Sequence, residues 1–228
     1  MAETAEFQRR HWFSSAFPVG GYAYSHGIEK AVEAGDVIRG DSLTRWIDGI
    51  LRLGAGRNDA ILLAETWRRA RGGNVEPCAA AILGLAELGI ALGLSQERRL
   101  ETAQQGAAFY ALVAASWPHP RWFDWPAGRE LPYPVAVGLA GAIHEQPLKP
   151  LLAAYLQAFA SNLIAAGIRL AVIGQNEAQS RLASLLPTIS ALAEEGVGAT
   201  LDDLGGMAIR GDLMSLRHET QVSRLFRS

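Results

Sequence analysis

The 228-residue chain sets 21 basic against 23 acidic side chains, a formal charge of −2, which excludes a nucleic-acid binder acting through a broad basic surface. Its length fits one large domain or a domain with a small appendage. The single cysteine, Cys78, excludes an internal disulfide and a thiolate metal cage and suits a reducing cytosol.

The first residues lack a basic stretch followed by an apolar one, so no signal peptide is expected. Periodicity is helical almost everywhere after that. A short helix is predicted near 6–15, broken by Pro18 and the pair Gly20-Gly21. A second covers about 25–34, with Gly35 where a left-handed C′ residue belongs. Asp41 or Ser42 can cap a third, whose Leu43, Trp46, Ile47, Ile50 and Leu51 share one face. Further helices fit about 58–71, 76–92 and 96–116. The proline- and aromatic-rich stretch 117–126 cannot be helical and reads as a structured loop packed by its own rings.

A helix resumes at 133–143. The next, about 149–173, has no charge between Leu151 and Ile168. That approaches membrane-spanning length. Its alanines, with Gln157, Ser161 and Asn162, argue instead for a helix buried in a helical domain. Asn176 can cap a helix over about 177–195. The glycine-rich region 196–211 is expected to be partly mobile. The chain ends on a helical turn and then Val222, Leu225 and Phe226, set among Arg224 and Arg227. Either this tail folds back onto its own domain, or it docks on another protein through residue types that dominate interface hot spots. The expected fold is all-α: one domain over 1–228, a bundle of roughly eight to ten helices around a long apolar central helix, with a tail at about 212–228.

Few chemistries fit. The five histidines are far apart, and neither His144-Glu145 nor His218-Glu219 has a second histidine four residues on, so no zinc-protease motif forms. None of the glycine pairs continues to Gly-Lys-Ser/Thr, so no phosphate cradle is present. Ser25 and His26 are adjacent, which on a helix keeps them from facing each other as nucleophile and base. What remains is surface suited to partners: the turn carrying Tyr22 and Tyr24, and the tail.

Three segments carry a resemblance. They are the run from Phe17 to Glu29 (Phe-Pro-Val-Gly-Gly-Tyr-Ala-Tyr-Ser-His-Gly-Ile-Glu), the run Ala154–Leu170 with Gly174-Gln175, and the closing Arg-His-Glu-Thr-Gln-Val-Ser-Arg-Leu-Phe-Arg-Ser of 217–228. In order and spacing the chain resembles the UreF family of urease accessory proteins. It departs from the family pattern at Tyr22-Ala23, Val222 and Asn176–Ala178. The resemblance implies an all-helical cytoplasmic homodimer without catalysis or cofactor of its own. It implies binding to UreD (also called UreH), recruitment of the GTPase UreG, and nickel delivery to apo-urease, with no nucleic acid or membrane involved. The matching segments make Tyr22, Tyr24, Ser25, His26, Glu29, Arg217, His218, Glu219, Arg224, Leu225, Phe226, Arg227 and Ser228 the candidate partner-binding residues. An alternative has Arg224 or Arg227 inserted into UreG as a GTPase-activating arginine.

Overall fold

The computed structural model describes residues 2–71 and 75–227, with side chains over 3–71 and 79–227. Ser228 and the Cys78 side chain therefore lie outside the described residues. Those described form ten α-helices and two short 3-10 turns, with no strand among them. In chain order the helices are α1 Ala2–Trp12, α2 Ile28–Glu33, α3 Gly40–Leu53, α4 Ala55–Ala70, α5 Val75–Ala91, α6 Gln96–Ser116, α7 Tyr133–Ile143, α8 Leu148–Arg169, α9 Gln175–Gly198 and α10 Ile209–His218.

Local chemistry sets several boundaries. Ser95 caps α6, its hydroxyl accepting the Arg98 N–H at 3.1 Å. That helix stops before Pro118, as the sequence requires. α7 begins after Pro132 and carries Pro134 in its first turn, where the missing N–H has no partner to lose. Gly35 is left-handed, with φ 79°. The 117–126 loop packs its rings as expected: the Trp122 indole donates to the Trp117 carbonyl at 3.1 Å, and the Tyr110 hydroxyl donates to the Phe123 carbonyl.

Other boundaries differ from expectation. α2 starts three residues late, because His26 (φ 53°) and Gly27 (φ 73°) are left-handed and cannot be part of a helix. Gly27 is pressed on α10: a Cβ there would lie 2.6 Å from the Ser215 nitrogen. α8 ends at Arg169, and Ala171 turns the chain with φ 57°. α9 starts at Gln175, so Asn176 lies inside it and does not cap it. The helix then runs through Pro187, on its exposed side, as far as Gly198. At the end of α9 and beyond it, side chains of α4 bond the backbone of the glycine-rich region. Arg68 donates to the carbonyls of Val197 (3.0 Å) and Ala199 (2.7 Å), and Asn58 exchanges bonds with Gly205 and Gly206.

The helix buried on every side is the short α7: every residue from Pro134 to Ile143 is buried. It lies between α4 and α6. α8 is the long apolar helix, and by length and composition it could cross a membrane. Here half of it is buried, along the face that meets α9, α4 and α3. Leu151, Leu152, Leu156, Ala160 and Leu163 form that stripe. α10 packs on α2 and α6, which brings the end of the chain to the Tyr22–Glu29 segment.

Candidate functional site

The site is built around two buried carboxylates, Glu29 in the first turn of α2 and Glu97 in the first turn of α6. An unpaired buried charge is expensive, so partners must surround it. Glu29 Oε1 accepts the Leu225 backbone N–H at 2.7 Å, and its Oε2 accepts that of Phe226 at 2.9 Å. Glu97 Oε1 accepts from the Arg224 guanidinium at 2.7 Å. Between the two acids lies His218, fully buried, with Nδ1 2.7 Å from Glu97 and Nε2 3.1 Å from Glu29. Glu219, next in the chain, caps α6 by accepting the Gln96 N–H at 2.6 Å.

The tail thus folds back onto the body. Phe226 is buried beneath Arg169, whose guanidinium lies 4.1 Å from the ring centre. The Arg227 N–H donates to the Ala23 carbonyl at 2.8 Å. Other apolar groups stay in water: Leu225 is 63% exposed, Tyr22 74%, and Val222 fully. Arg217 and Arg227 are exposed as well.

The Tyr22–Glu29 segment lies between this clamp and a cavity of about 650 Å³. The start of the segment is held from outside: Asn162 donates to the carbonyl of Gly21, just before it, at 2.7 Å, and Arg169 to that of Tyr22. Tyr24 is buried and donates to Gln104 at 2.6 Å; burial and then Glu101 raise its pKa. The buried Ser25 hydroxyl accepts the Glu29 N–H at 3.3 Å. His26 lines the cavity, its Nε2 2.8 Å from Glu101 and 2.5 Å from Arg98. Burial, then Arg98, lower its pKa.

Two further acids line the same cavity and behave oppositely. Burial would raise Glu101, but Arg98 and His26 outweigh it and bring the carboxyl down to about 2. Asp59 accepts from the Tyr155 hydroxyl at 2.8 Å; burial pushes it up to about 6, against the opposing charge of Arg98 and then that hydrogen bond. Among the described residues no group of three or more His, Cys, Asp or Glu is placed to hold a metal ion.

Of the candidate partner residues, the structure brings Glu29, His218, Arg224, Leu225 and Phe226 into one network, with Glu219 beside it. Ser25, His26, Glu29 and His218 are buried within this chain and do not face solvent. Sequence reasoning missed Glu97, Arg98, Glu101, Arg169 and Asp59. Each sits on a helix where a charged residue ordinarily faces water, and no local pattern marks its partners; of the five only Glu97 and Glu101 are buried, and Arg169 is exposed.

A family model described as UreF matches residues 37–186. The chain belongs to the UreF family. It is 48% identical over 218 residues to a urease accessory protein UreF of Mesorhizobium japonicum, covering 95% of this chain and 93% of that protein. A UreF of Xanthobacter autotrophicus is 48% identical over 220 residues, 95% of this chain and 88% of its own. One from Rhodopseudomonas palustris is 46% identical over 226 residues, 98% and 92% of the two chains. The UreF family model stops short of both the Tyr22–Glu29 segment and the tail.

Proposed function

We propose that this UreF-family chain is a non-catalytic adaptor. It folds as one domain, forms a cytoplasmic homodimer, binds UreD (UreH), recruits UreG, and so directs nickel to apo-urease. The observation that carries this reading is the tail clamp. Buried Glu29 fixes the backbone of Leu225 and Phe226, and Glu97 holds the Arg224 side chain, while Leu225, Val222 and Tyr22 are left in water. Each such side chain forgoes roughly 1.5–3 kcal/mol of burial until something covers it. A tail already ordered also avoids the backbone entropy that binding a free one costs, about 1–2 kcal/mol per residue. Arg224 is paired with Glu97, which suits an anchor better than an arginine reserved for a GTPase. The names of the relatives, urease accessory protein, support the pathway.

The test is size-exclusion chromatography with light scattering, on this protein alone and mixed with cognate UreD and UreG. A dimer that grows into a defined larger assembly is expected. A variant lacking residues 222–228 should keep its helical signal and its dimer but fail to assemble. An elution unchanged by both partners overturns the adaptor reading.

A further inference from the structure

We propose that the cavity of about 650 Å³ lined by α1, α4, α6, α7 and α8 is a binding site for a monovalent organic cation, an amidinium or an ammonium, with Asp59 as its counter-ion and aromatic rings as its walls. This goes beyond the adaptor role, which gives the chain no ligand.

Shape comes first. A volume of several hundred Å³ is typical of small-molecule sites. The floor lies below the surface, where Phe17, Glu101 and Tyr155 are buried. The rim is open, with Ser14, Tyr22 and Ser161 exposed. A small molecule can therefore enter from solvent. Tyr133, Tyr155 and Phe159 supply aromatic walls, the two tyrosine rings with centres 5.4 Å apart. The negative faces of such rings attract a cation that has left water.

Charge sets the class of ligand. Asp59 uses one oxygen to accept from Tyr155 at 2.8 Å, and its other oxygen has no hydrogen-bond partner among the described residues. The Tyr133 hydroxyl has none among them either. Arg98 acts on Asp59 through its charge alone, since its guanidinium bonds Glu101 and lies 2.5 Å from His26. Asp59 keeps accessible surface on the cavity wall, although burial pushes its carboxyl up to about 6. At about pH 7.5 it is mainly ionised, an anion with no cation bonded to it in a wall that hydrates it poorly. A ligand that brings the cation offsets that cost. A metal ion needs several ligands at fixed distances, and among the described residues no group of three or more His, Cys, Asp or Glu is placed to hold one. An anion would meet Asp59 and Glu101. A donor group for Asp59 on an apolar body for the rings is what the cavity matches.

The test uses two probes of one shape, benzamidine, a flat amidinium, and benzamide, its neutral isostere. Each is titrated into the full-length protein at about pH 7.5 and followed by amide chemical shifts. Benzamidine should saturate with a Kd on the order of 1 mM, ordinary for so small a ligand, and shift residues that line the cavity. Benzamide should bind about tenfold or more weakly, the scale of one charge-assisted hydrogen bond. Asp59→Asn keeps an acceptor for Tyr155 and removes the charge, so the preference for benzamidine should vanish. Ala158→Trp puts an indole into the cavity and leaves Asp59 in place, so benzamidine should cease to bind. Equal affinity for the two probes in the wild type overturns the proposal. So does a preference that survives in Asp59→Asn, or a set of shifts that lies outside the cavity. The wild-type comparison and the map of shifts decide the matter even if a variant does not fold.

Discussion

Asp59 and Glu101 line one cavity, yet burial decides the protonation of the first and charge that of the second. Arg98 bonds Glu101 directly, whereas Asp59 is bonded by the Tyr155 phenol and feels Arg98 only through its charge. A carboxyl raised from 3.8 to about 6 holds its proton in the folded chain where the unfolded chain has lost it. Its contribution to stability is full below about pH 4 and is lost as pH rises through about 6, leaving a cost on the order of 1–3 kcal/mol at neutrality. Asp59→Asn removes the ionisation and keeps an acceptor for Tyr155. Calorimetry should show a higher Tm for the variant at about pH 7.5 and little change at about pH 4. A Tm at neutral pH equal to the wild type would show that Asp59 is better solvated than its burial implies. The sequence carried no sign of this residue, since an aspartate on α4 reads as surface. Burial of a charge is a property of what the other helices bring to it.

Helices were legible where local chemistry dictates them. α6 and α7 fall at their expected limits, because Ser95 and Pro118 bound one and Pro132 and Pro134 open the other. Expectation failed where a distant element decides. α2 is cut short where His26 and Gly27 turn left-handed, with Gly27 lying too close to α10 for any side chain. α9 outlasts its predicted end because Gly196 is buried against α8 and α4, which offsets glycine's poor helix propensity. α7 shows the same dependence on close approach: a Cβ on Gly138 would lie 2.5 Å from the Leu63 carbonyl oxygen of α4. Backbone cannot step aside as a flexible side chain can, so Gly138→Ala must part the two helices. Overpacking of this kind costs about 1–3 kcal/mol. Urea unfolding should show a lower midpoint with an unchanged slope; a midpoint at or above the wild-type value would mean that the contact yields freely.

At the scale of the molecule, the question is which tail residues hold the body and which are left for a partner. The candidate partner-binding residues include Glu29, His218, Arg224, Leu225 and Phe226, and the sequence alone does not say which support and which touch. The structure separates them by burial. Phe226 is 4% exposed and stacked by Arg169, whereas Leu225 is 63% exposed and tied to Glu29 through its backbone alone. Two substitutions divide the roles. Phe226→Ala removes the buried ring, and a loss of about 3 kcal/mol or more of local burial should free the tail. Because the tail lies outside the core, thermal unfolding of the helices should move little. Leu225→Ala keeps the N–H on Glu29 and removes only exposed apolar surface, so the tail should stay docked. If the adaptor reading holds, both variants weaken assembly with UreD and UreG, and only Phe226→Ala loses amide hydrogen-exchange protection in the tail. Were Leu225→Ala to assemble as the wild type does, the exposed residues of the tail would not be contacts. The clamp would then serve only to hold the Tyr22–Glu29 segment in place.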